Sequence, residues 1–212
     1  MLTKTTDFMR LNRLFLLIVA IATMSFDVFA PALTDAERKY AAQLLQETKD
    51  DLLKKVKGLT PEQLNYKLNA TSWSVAECVE HIAISENNLW GFAQSSLQQS
   101  ADPSKRSELK MTDDGIVKMI TDRSSKIKTQ EAFEPKNTFR SFEGSLDEFK
   151  KKREEHIKYV NGTSDDLRNH YNDFPFGKLD TYQTILFMAA HSRRHTAQIE
   201  EVMKSAGFPK GK

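Results

Sequence analysis

The sequence predicts an all-α fold, a four-helix bundle in which one long crossover joins the second and third helices. With 8 glycines and 6 prolines among 212 residues, the chain is poor in the residues that form tight turns. Four segments carry apolar residues at helical spacing, and a polar, weakly periodic stretch, residues 100–144, separates the second from the third. A bundle with one long crossover accommodates this order, and the chain length fits one domain with one hydrophobic core.

The first two predicted helices each begin with Ser or Thr followed three residues later by Glu, which is the spacing of a capping box. These pairs are Thr34 with Glu37 and Ser74 with Glu77. Apolar residues then recur every three or four positions in both segments, so we place the helices at 34–57 and 74–99. Gly58 is expected to end the first of them.

The third predicted helix covers 145–161, and its start is assigned from Ser145 and Glu148, which repeat the capping-box spacing. Its middle is the highly charged run KKKREEH, which ends at His156. We expect His156 to be exposed to solvent, and likewise His170 in the polar stretch that follows.

The fourth predicted helix covers 181–206, opens at Asp180 or Thr181 and ends at Gly207. Within the long connection between the second and third helices, only 115–123 is periodic enough to predict a short helix. No segment alternates strongly enough to predict a strand.

The N-terminal segment has the pattern of a secretory signal peptide. The basic residues at its start are Lys4, Arg10 and Arg13. An uncharged apolar run, 14–24, follows them, and Ala30-Pro31-Ala32 forms a small-residue cleavage site. We therefore predict a signal peptide at 1–32 and a mature domain at 33–212 that is exported, either periplasmic or secreted.

The alternative for the N-terminal segment is an anchor retained in the inner membrane. Eleven apolar residues span about 16 Å as a helix, against a hydrocarbon core of roughly 30 Å. A cleaved signal peptide is thus the favoured interpretation, and it implies no stable membrane insertion of the mature domain.

The charge balance and the single cysteine exclude several classes of site. A formal net charge of +2 gives no indication of a nucleic-acid partner. Cys78 is the only cysteine, which excludes an internal disulfide and any multi-cysteine zinc motif. Nothing in the sequence excludes a homodimer.

His191 and His195 lie one turn apart in the fourth predicted helix, so their side chains share one face. Apolar residues at helical spacing, among them Phe187, Ile199 and Val202, follow the same stripe, and the pair is therefore expected to point inward. Buried imidazoles need partners, either hydrogen bonds or a metal ion. The charged neighbours expected on solvated faces are Arg193, Arg194, Glu200 and Glu201.

His81 is the candidate for a third histidine in the same site. It lies in the second predicted helix beside the apolar stripe that contains Ile82, so it can face the bundle core. Cys78, one turn earlier, is either a fourth metal ligand or a small buried apolar residue, and the second is favoured because free cysteines are usually buried.

Three stretches together resemble the DinB-like superfamily. They are WSVAECVEHIAISENNLW at 73–90, GKLDTYQTILFMAAHSRRHTAQIEEV at 177–202 and GFP at 207–209. The resemblance covers about residues 35–210 and depends on the combination of WS..E..EH, H..RH.AQI and the terminal FP.

The resemblance implies a four-helix bundle with a divalent metal bound by His81, His191 and His195. Relatives with known activity include thiol transferases and isomerases that use bacillithiol, mycothiol or glutathione, and others are described as metal-dependent hydrolases. The metal itself is not specified, because histidine ligands suit zinc, nickel, iron and copper alike.

Three neutral histidine ligands leave a divalent metal with an open position for water. Such water reaches a pKa of about 7 in carbonic anhydrase, which makes it a nucleophile at neutral pH. Gln198 is a candidate helper beside the metal, with a packing or surface position as the alternative. Ser85 and Asn88 are candidates for binding substrate, while Glu77 is expected to be a capping residue rather than a general base.

The leading hypothesis is an exported metal-dependent hydrolase that uses metal-bound water on an unknown small-molecule substrate. A thiol transferase is the enzymatic alternative, weakened by the predicted export because small-thiol cosubstrates belong mainly to the reducing cytosol. A non-catalytic bundle that binds a metal or ligand is the competing class. A further alternative is a bundle without metal, in which the three histidines bond to the backbone or to each other.

Overall fold

The computed structural model describes residues 33–125 and 128–211. The predicted signal peptide at 1–32 lies outside the described residues, and export stays a prediction. In the described part of the chain the α-helices are α1 (Asp35–Val56), α2 (Pro61–Asn65), α3 (Val75–Leu97), α4 (Asp113–Thr121), α5 (Phe142–Gly162) and α6 (Thr181–Met203). Two short 3₁₀ turns, Pro103–Glu108 and Glu131–Phe133, and two strands, β1 (Tyr171–Phe174) and β2 (Gly177–Asp180), complete it.

Helices α1, α3, α5 and α6 form a four-helix bundle, which confirms the predicted fold class. Both α1 and α3 pack against α5 and α6. Helices α3 and α5 run in the same direction, because Glu86 contacts Arg153 and, one turn further along both helices, Trp90 contacts His156. Parallel neighbours require the chain to return along the bundle before the next helix starts, which accounts for the long crossover.

Helices α3 and α6 are antiparallel. Ser96, near the end of α3, bonds to Thr181 at the start of α6, whereas His81, early in α3, meets His195 late in α6. The predicted short helix within the crossover is present as α4, and it packs against α6. The crossover therefore lies over the face of the bundle where α3 and α6 meet.

The helix starts follow the predicted capping residues except at α5, which has a different N-cap. Both predicted boxes, at Thr34 and Ser74, form in full. The prediction from Ser145 was wrong: α5 begins three residues earlier, with Ser141 as its N-cap. Ser145 Oγ donates instead to the Ser141 carbonyl oxygen, and Glu148 accepts from Asn87 across the bundle.

A two-stranded antiparallel hairpin between α5 and α6 was not predicted. Strand β1 pairs with β2 from Tyr171 opposite Asp180 to Phe174 opposite Gly177. Each strand has four residues, too few for a recognisable alternation. Gly177 has φ of 132°, a conformation that favours glycine and allows the tight return after Pro175.

The expectation that His156 is exposed was wrong, because it belongs to a buried polar network. Arg153, which is 0% exposed, donates to both carboxylate oxygens of Glu86 and to the hydroxyl oxygens of Thr48 and Ser192. His156 Nδ1 donates to Glu86 Oε1 over 2.7 Å. Helical periodicity explains this placement, since both side chains share the inward face of α5 with its apolar residues.

Two further exposure predictions need correction. Arg194 is buried and donates to the carbonyl oxygens of Ile120, Asp122 and Ser125, so it fastens the chain after α4 to α6. His170 is half-buried, and its Nδ1 donates to the carbonyl oxygen of Ser96. Within residues 33–125 and 128–211, none of the helices is sufficiently long and apolar to span a membrane.

Gly144, in the first turn of α5, has no room for a side chain. An added Cβ would overlap the backbone carbonyl oxygen of Phe139. We expect Gly144→Ala to lower the free energy of unfolding by about 1–3 kcal/mol, measured by urea denaturation. Gly162→Ala is the matched control, because a Cβ at this last position of the same helix would meet no atom within 4 Å beyond its chain neighbours and the helix's own backbone. Equal losses in both variants would contradict the prediction.

Candidate metal centre

The bundle brings together the three histidines that the sequence singled out. His81 comes from α3, and His191 and His195 from successive turns of α6. His81 Nε2 lies 3.3 Å from His191 Nε2 and 3.1 Å from His195 Nε2. His81 and His195 are buried, whereas His191 is partly exposed. Together the three imidazoles could hold a metal ion.

Outer hydrogen bonds fix the orientation of two of these rings. His81 Nδ1 donates to the Phe133 carbonyl oxygen over 2.7 Å, and His195 Nδ1 donates to Gln198 Oε1 over 2.9 Å. In a neutral imidazole whose Nδ1 carries the proton, Nε2 bears only a lone pair. The Nε2 atoms of His81 and His195 therefore face each other as two lone pairs, and neither can donate a hydrogen bond to the other.

The environment keeps the three histidines neutral. Burial lowers the pKa of His81 to about 4, against the hydrogen bond to Phe133, which raises it. Burial also lowers the pKa of His191 and of His195 well below the usual value, and their proximity to the other imidazoles acts in the same direction. Neutral imidazole is the form that binds a metal ion.

Two aromatic side chains flank the cluster. The Trp73 ring lies against His81, with 4.7 Å between ring centroids, and 6.1 Å from His195. Phe187 approaches His191 edge-on at 5.9 Å. Sequence reasoning did not assign roles to Trp73 or to the Phe133 carbonyl. Trp73 is part of the WS..E..EH motif, so the sequence could have indicated it. A backbone carbonyl in the crossover leaves no signal in the sequence, because every residue has one.

The other predicted site residues are distributed as follows. Gln198 orients His195, as described above. Ser85 is buried, and its hydroxyl has no hydrogen-bond partner within the described ranges. Asn88 donates to the carbonyl oxygen of Ala132 in the crossover. That Ser85 and Asn88 bind substrate stays a prediction.

Glu77 and Cys78 do not belong to the cluster. Glu77 completes the capping box of α3 and pairs with Lys67. Cys78 is fully buried, and burial raises the pKa of its thiol to about 12. A thiol in this environment stays protonated at neutral pH and behaves as a small apolar residue.

Comparison with known proteins agrees with this fold. The sequence pattern of the DinB superfamily matches residues 44–199. The uncharacterised protein YuaE of Bacillus subtilis (strain 168) is 25% identical over 160 residues, which cover 75% of this chain and 94% of YuaE. A solved structure with a similar fold is YfiT from Bacillus subtilis, described as a probable metal-dependent hydrolase with an unusual four-helix bundle topology. The comparison gives a TM-score of 0.56 and 17% sequence identity, and it covers 84% of this chain and 92% of YfiT. All three clustered histidines lie within the matched region, and the chain belongs to the DinB superfamily.

Proposed function

We propose that His81, His191 and His195 hold one divalent metal ion and that the protein is a metal-dependent hydrolase. The observation that carries this proposal is the close approach of two Nε2 lone pairs, 3.1 Å apart, on neutral buried rings. Two lone pairs at this distance repel each other unless a cation lies between them. The arrangement thus argues against the alternative of three histidines that bond only to one another.

The spacing of the nitrogens fits a common ion. Two ligand nitrogens at 2.0–2.1 Å from a tetrahedral zinc stand about 3.3–3.4 Å apart. The distances from His81 Nε2, 3.3 Å to His191 and 3.1 Å to His195, lie close to this value. Phe133 and Gln198 would act as outer partners that hold two of the rings, an arrangement typical of metal-binding histidines.

The donor set favours hydrolysis over purely structural metal binding. When bound, a divalent metal with three neutral ligands supplies Lewis-acid chemistry and activates water. Neither Cys78 nor a carboxylate joins the three histidines in the described part of the chain, so no thiolate or carboxylate there supplies a fourth ligand. His191 is the partly exposed member of the cluster, so a small-molecule substrate would approach the centre from its side. The description of YfiT as a probable metal-dependent hydrolase supports the same reaction class.

Turnover of a substrate panel tests the proposed reaction. Metal-loaded wild type is incubated with esters, amides and thiol acceptors, alongside His191→Ala and, as a matched control, His170→Ala, which removes a histidine outside the cluster. We expect hydrolysis by the wild type and by the control, and none above background by His191→Ala. Turnover confined to thiol acceptors would instead indicate a transferase. Absence of any difference between wild type and His191→Ala across the panel would contradict an enzymatic role.

A further inference from the structure

Four phenylalanines form a continuous aromatic wall, Phe92, Phe174, Phe176 and Phe187, beside the histidine cluster. Phe174 contacts the other three rings, with centroid distances of 5.8 Å to Phe92 and 5.5 Å to Phe176 and Phe187. Phe176 also meets Phe187 edge-on at 5.5 Å. Since Phe187 in turn contacts His191, the wall is continuous with the candidate metal centre.

The aromatic wall lies at one end of the histidine cluster. Phe92 follows His81 by eleven positions on α3 and therefore shares its face, while Phe187 precedes His191 by one turn on α6. Because α3 and α6 are antiparallel, both rings lie on the same side of the histidines. The β1–β2 hairpin closes the gap between them, held to α3 by the Asn172 side chain, which donates to the Phe92 carbonyl oxygen.

Two rings of the wall are exposed although they are apolar. Phe92 is 42% exposed and Phe176 is 36% exposed. They account for two of the four large apolar side chains that are exposed in residues 33–125 and 128–211, the others being Tyr40 and Leu68. Clustered aromatic exposure beside a reactive centre is typical of ligand-binding surfaces, whereas single exposed apolar residues are ordinary.

The charged side chains of the hairpin form ion pairs, and one of them, Asp180, is also buried and pairs with Arg168. Asp173 and Lys178 face each other across the two strands and form an ion pair of 2.8 Å. Strand alternation directs Asp173 to the opposite face of the hairpin from Phe174. The hairpin thus contributes aromatic rings and no unpaired charge to the surface beside His191, which suits an apolar group and not an ionic one.

We propose that the substrate carries an apolar group, aromatic or a medium-length acyl chain, that packs on the aromatic wall while its reacting bond lies at the three histidines. This inference rests on the proposed function and specifies its substrate class. Phe176 is two successive ring contacts from His191, so the apolar group must be joined to the reacting bond by several atoms. Small substrates such as acetyl esters would leave the wall unused.

Binding of two hydroxamates tests this inference without requiring turnover. Acetohydroxamate and 4-phenylbutanohydroxamate present the same metal-binding group and differ only in the apolar tail. Titration calorimetry on zinc-loaded wild type should show at least about tenfold tighter binding of the phenyl compound. The double substitution Phe92→Ser with Phe176→Ser should reduce that preference to about twofold or less and leave the affinity for acetohydroxamate unchanged.

Leu68→Ser is the matched control, since it removes an even more exposed apolar side chain outside the wall. It should keep the full preference for the phenyl compound. Phe176→Ser alone, in the exposed hairpin turn, replaces the double variant if that variant does not fold. Equal affinity of zinc-loaded wild type for both hydroxamates, binding of neither, or a preference that survives the substitutions would overturn the inference and leave the metal centre intact. Failure of the wild type to take up zinc would overturn the proposed function and this inference with it.

Discussion

Replacing Arg153 by methionine is expected to lower the free energy of unfolding by about 3–5 kcal/mol, the largest stability effect that we expect from a single substitution. The variant would leave the Glu86 carboxylate, 1% exposed, without its guanidinium partner in the centre of the bundle. It would also remove the guanidinium N–H groups that donate hydrogen bonds to the hydroxyl oxygens of Thr48 and Ser192. A domain of this size is stable by only about 5–15 kcal/mol, so the variant should be close to unfolding.

The pH dependence of this loss follows from Glu86. Burial alone would raise the pKa of this carboxyl, but the charge of Arg153 and hydrogen bonds from Arg153 and His156 hold it below its usual value. The wild-type contribution is therefore complete above the unfolded-state pKa of 4.5 and is lost as pH falls through the lower folded-state pKa. In Arg153→Met, burial would dominate and raise the folded-state pKa. The deficit of the variant should thus shrink as pH falls from about 7 toward about 4.

Two controls separate the buried charge from general damage to the core. The double variant Arg153→Met with Glu86→Met removes both charges and should recover much of the lost stability. Lys152→Met breaks an exposed pair with Glu155 on the same helix and should change little. Urea denaturation of the four proteins measures these differences. A double variant that is less stable than Arg153→Met would show that the unpaired carboxylate is not the cause.

Replacing His195 by alanine is expected to abolish metal binding. His195 supplies one of the three Nε2 atoms, and the remaining pair, His81 and His191, would offer only two ligands from two different helices. Added zinc should therefore raise the midpoint of thermal unfolding of the wild type but not of the variant. At a free zinc concentration 100 times the dissociation constant, the wild type should gain about 2.7 kcal/mol.

The control for this experiment is His170→Ala, which keeps the cluster intact and should respond to zinc as the wild type does. Both variants are compared after treatment with a chelator, so that each begins without metal. A shift of similar size in His195→Ala and wild type would show that zinc binds elsewhere in the protein.

The sequence predicted the bundle and the shared face of His191 and His195 because both depend on local spacing. Apolar residues every three or four positions and capping pairs such as Thr34 with Glu37 are local signals, and the bundle forms around them. His191 and His195 share a face because they are four residues apart, whatever the rest of the chain does. Pairing with His81 required the family resemblance, since nothing local links residues 110 positions apart.

The wrong exposure predictions arose where the residue type indicates a solvent-exposed side chain but the helical position indicates a buried one. Arg153 and His156 lie in a charged run, but their spacing from Phe149 and Val160 places all four on the inward face of α5. The positions were informative and the charges misleading, because long-range partners such as Glu86 neutralise the cost of burial. The hairpin was missed because four-residue strands produce no usable periodicity. The outer partner of His81 was missed because any residue could supply that carbonyl.

The metal content of the purified wild-type protein tests the central claim most directly. The protein is expressed with zinc, nickel, iron or manganese in the medium, passed through a desalting column and analysed for metal and protein together. Our account predicts about one equivalent of a divalent metal per chain for at least one of these ions, and much less in His195→Ala. Metal well below one equivalent after every supplement would contradict it, and the close approach of the three imidazoles would then need another explanation.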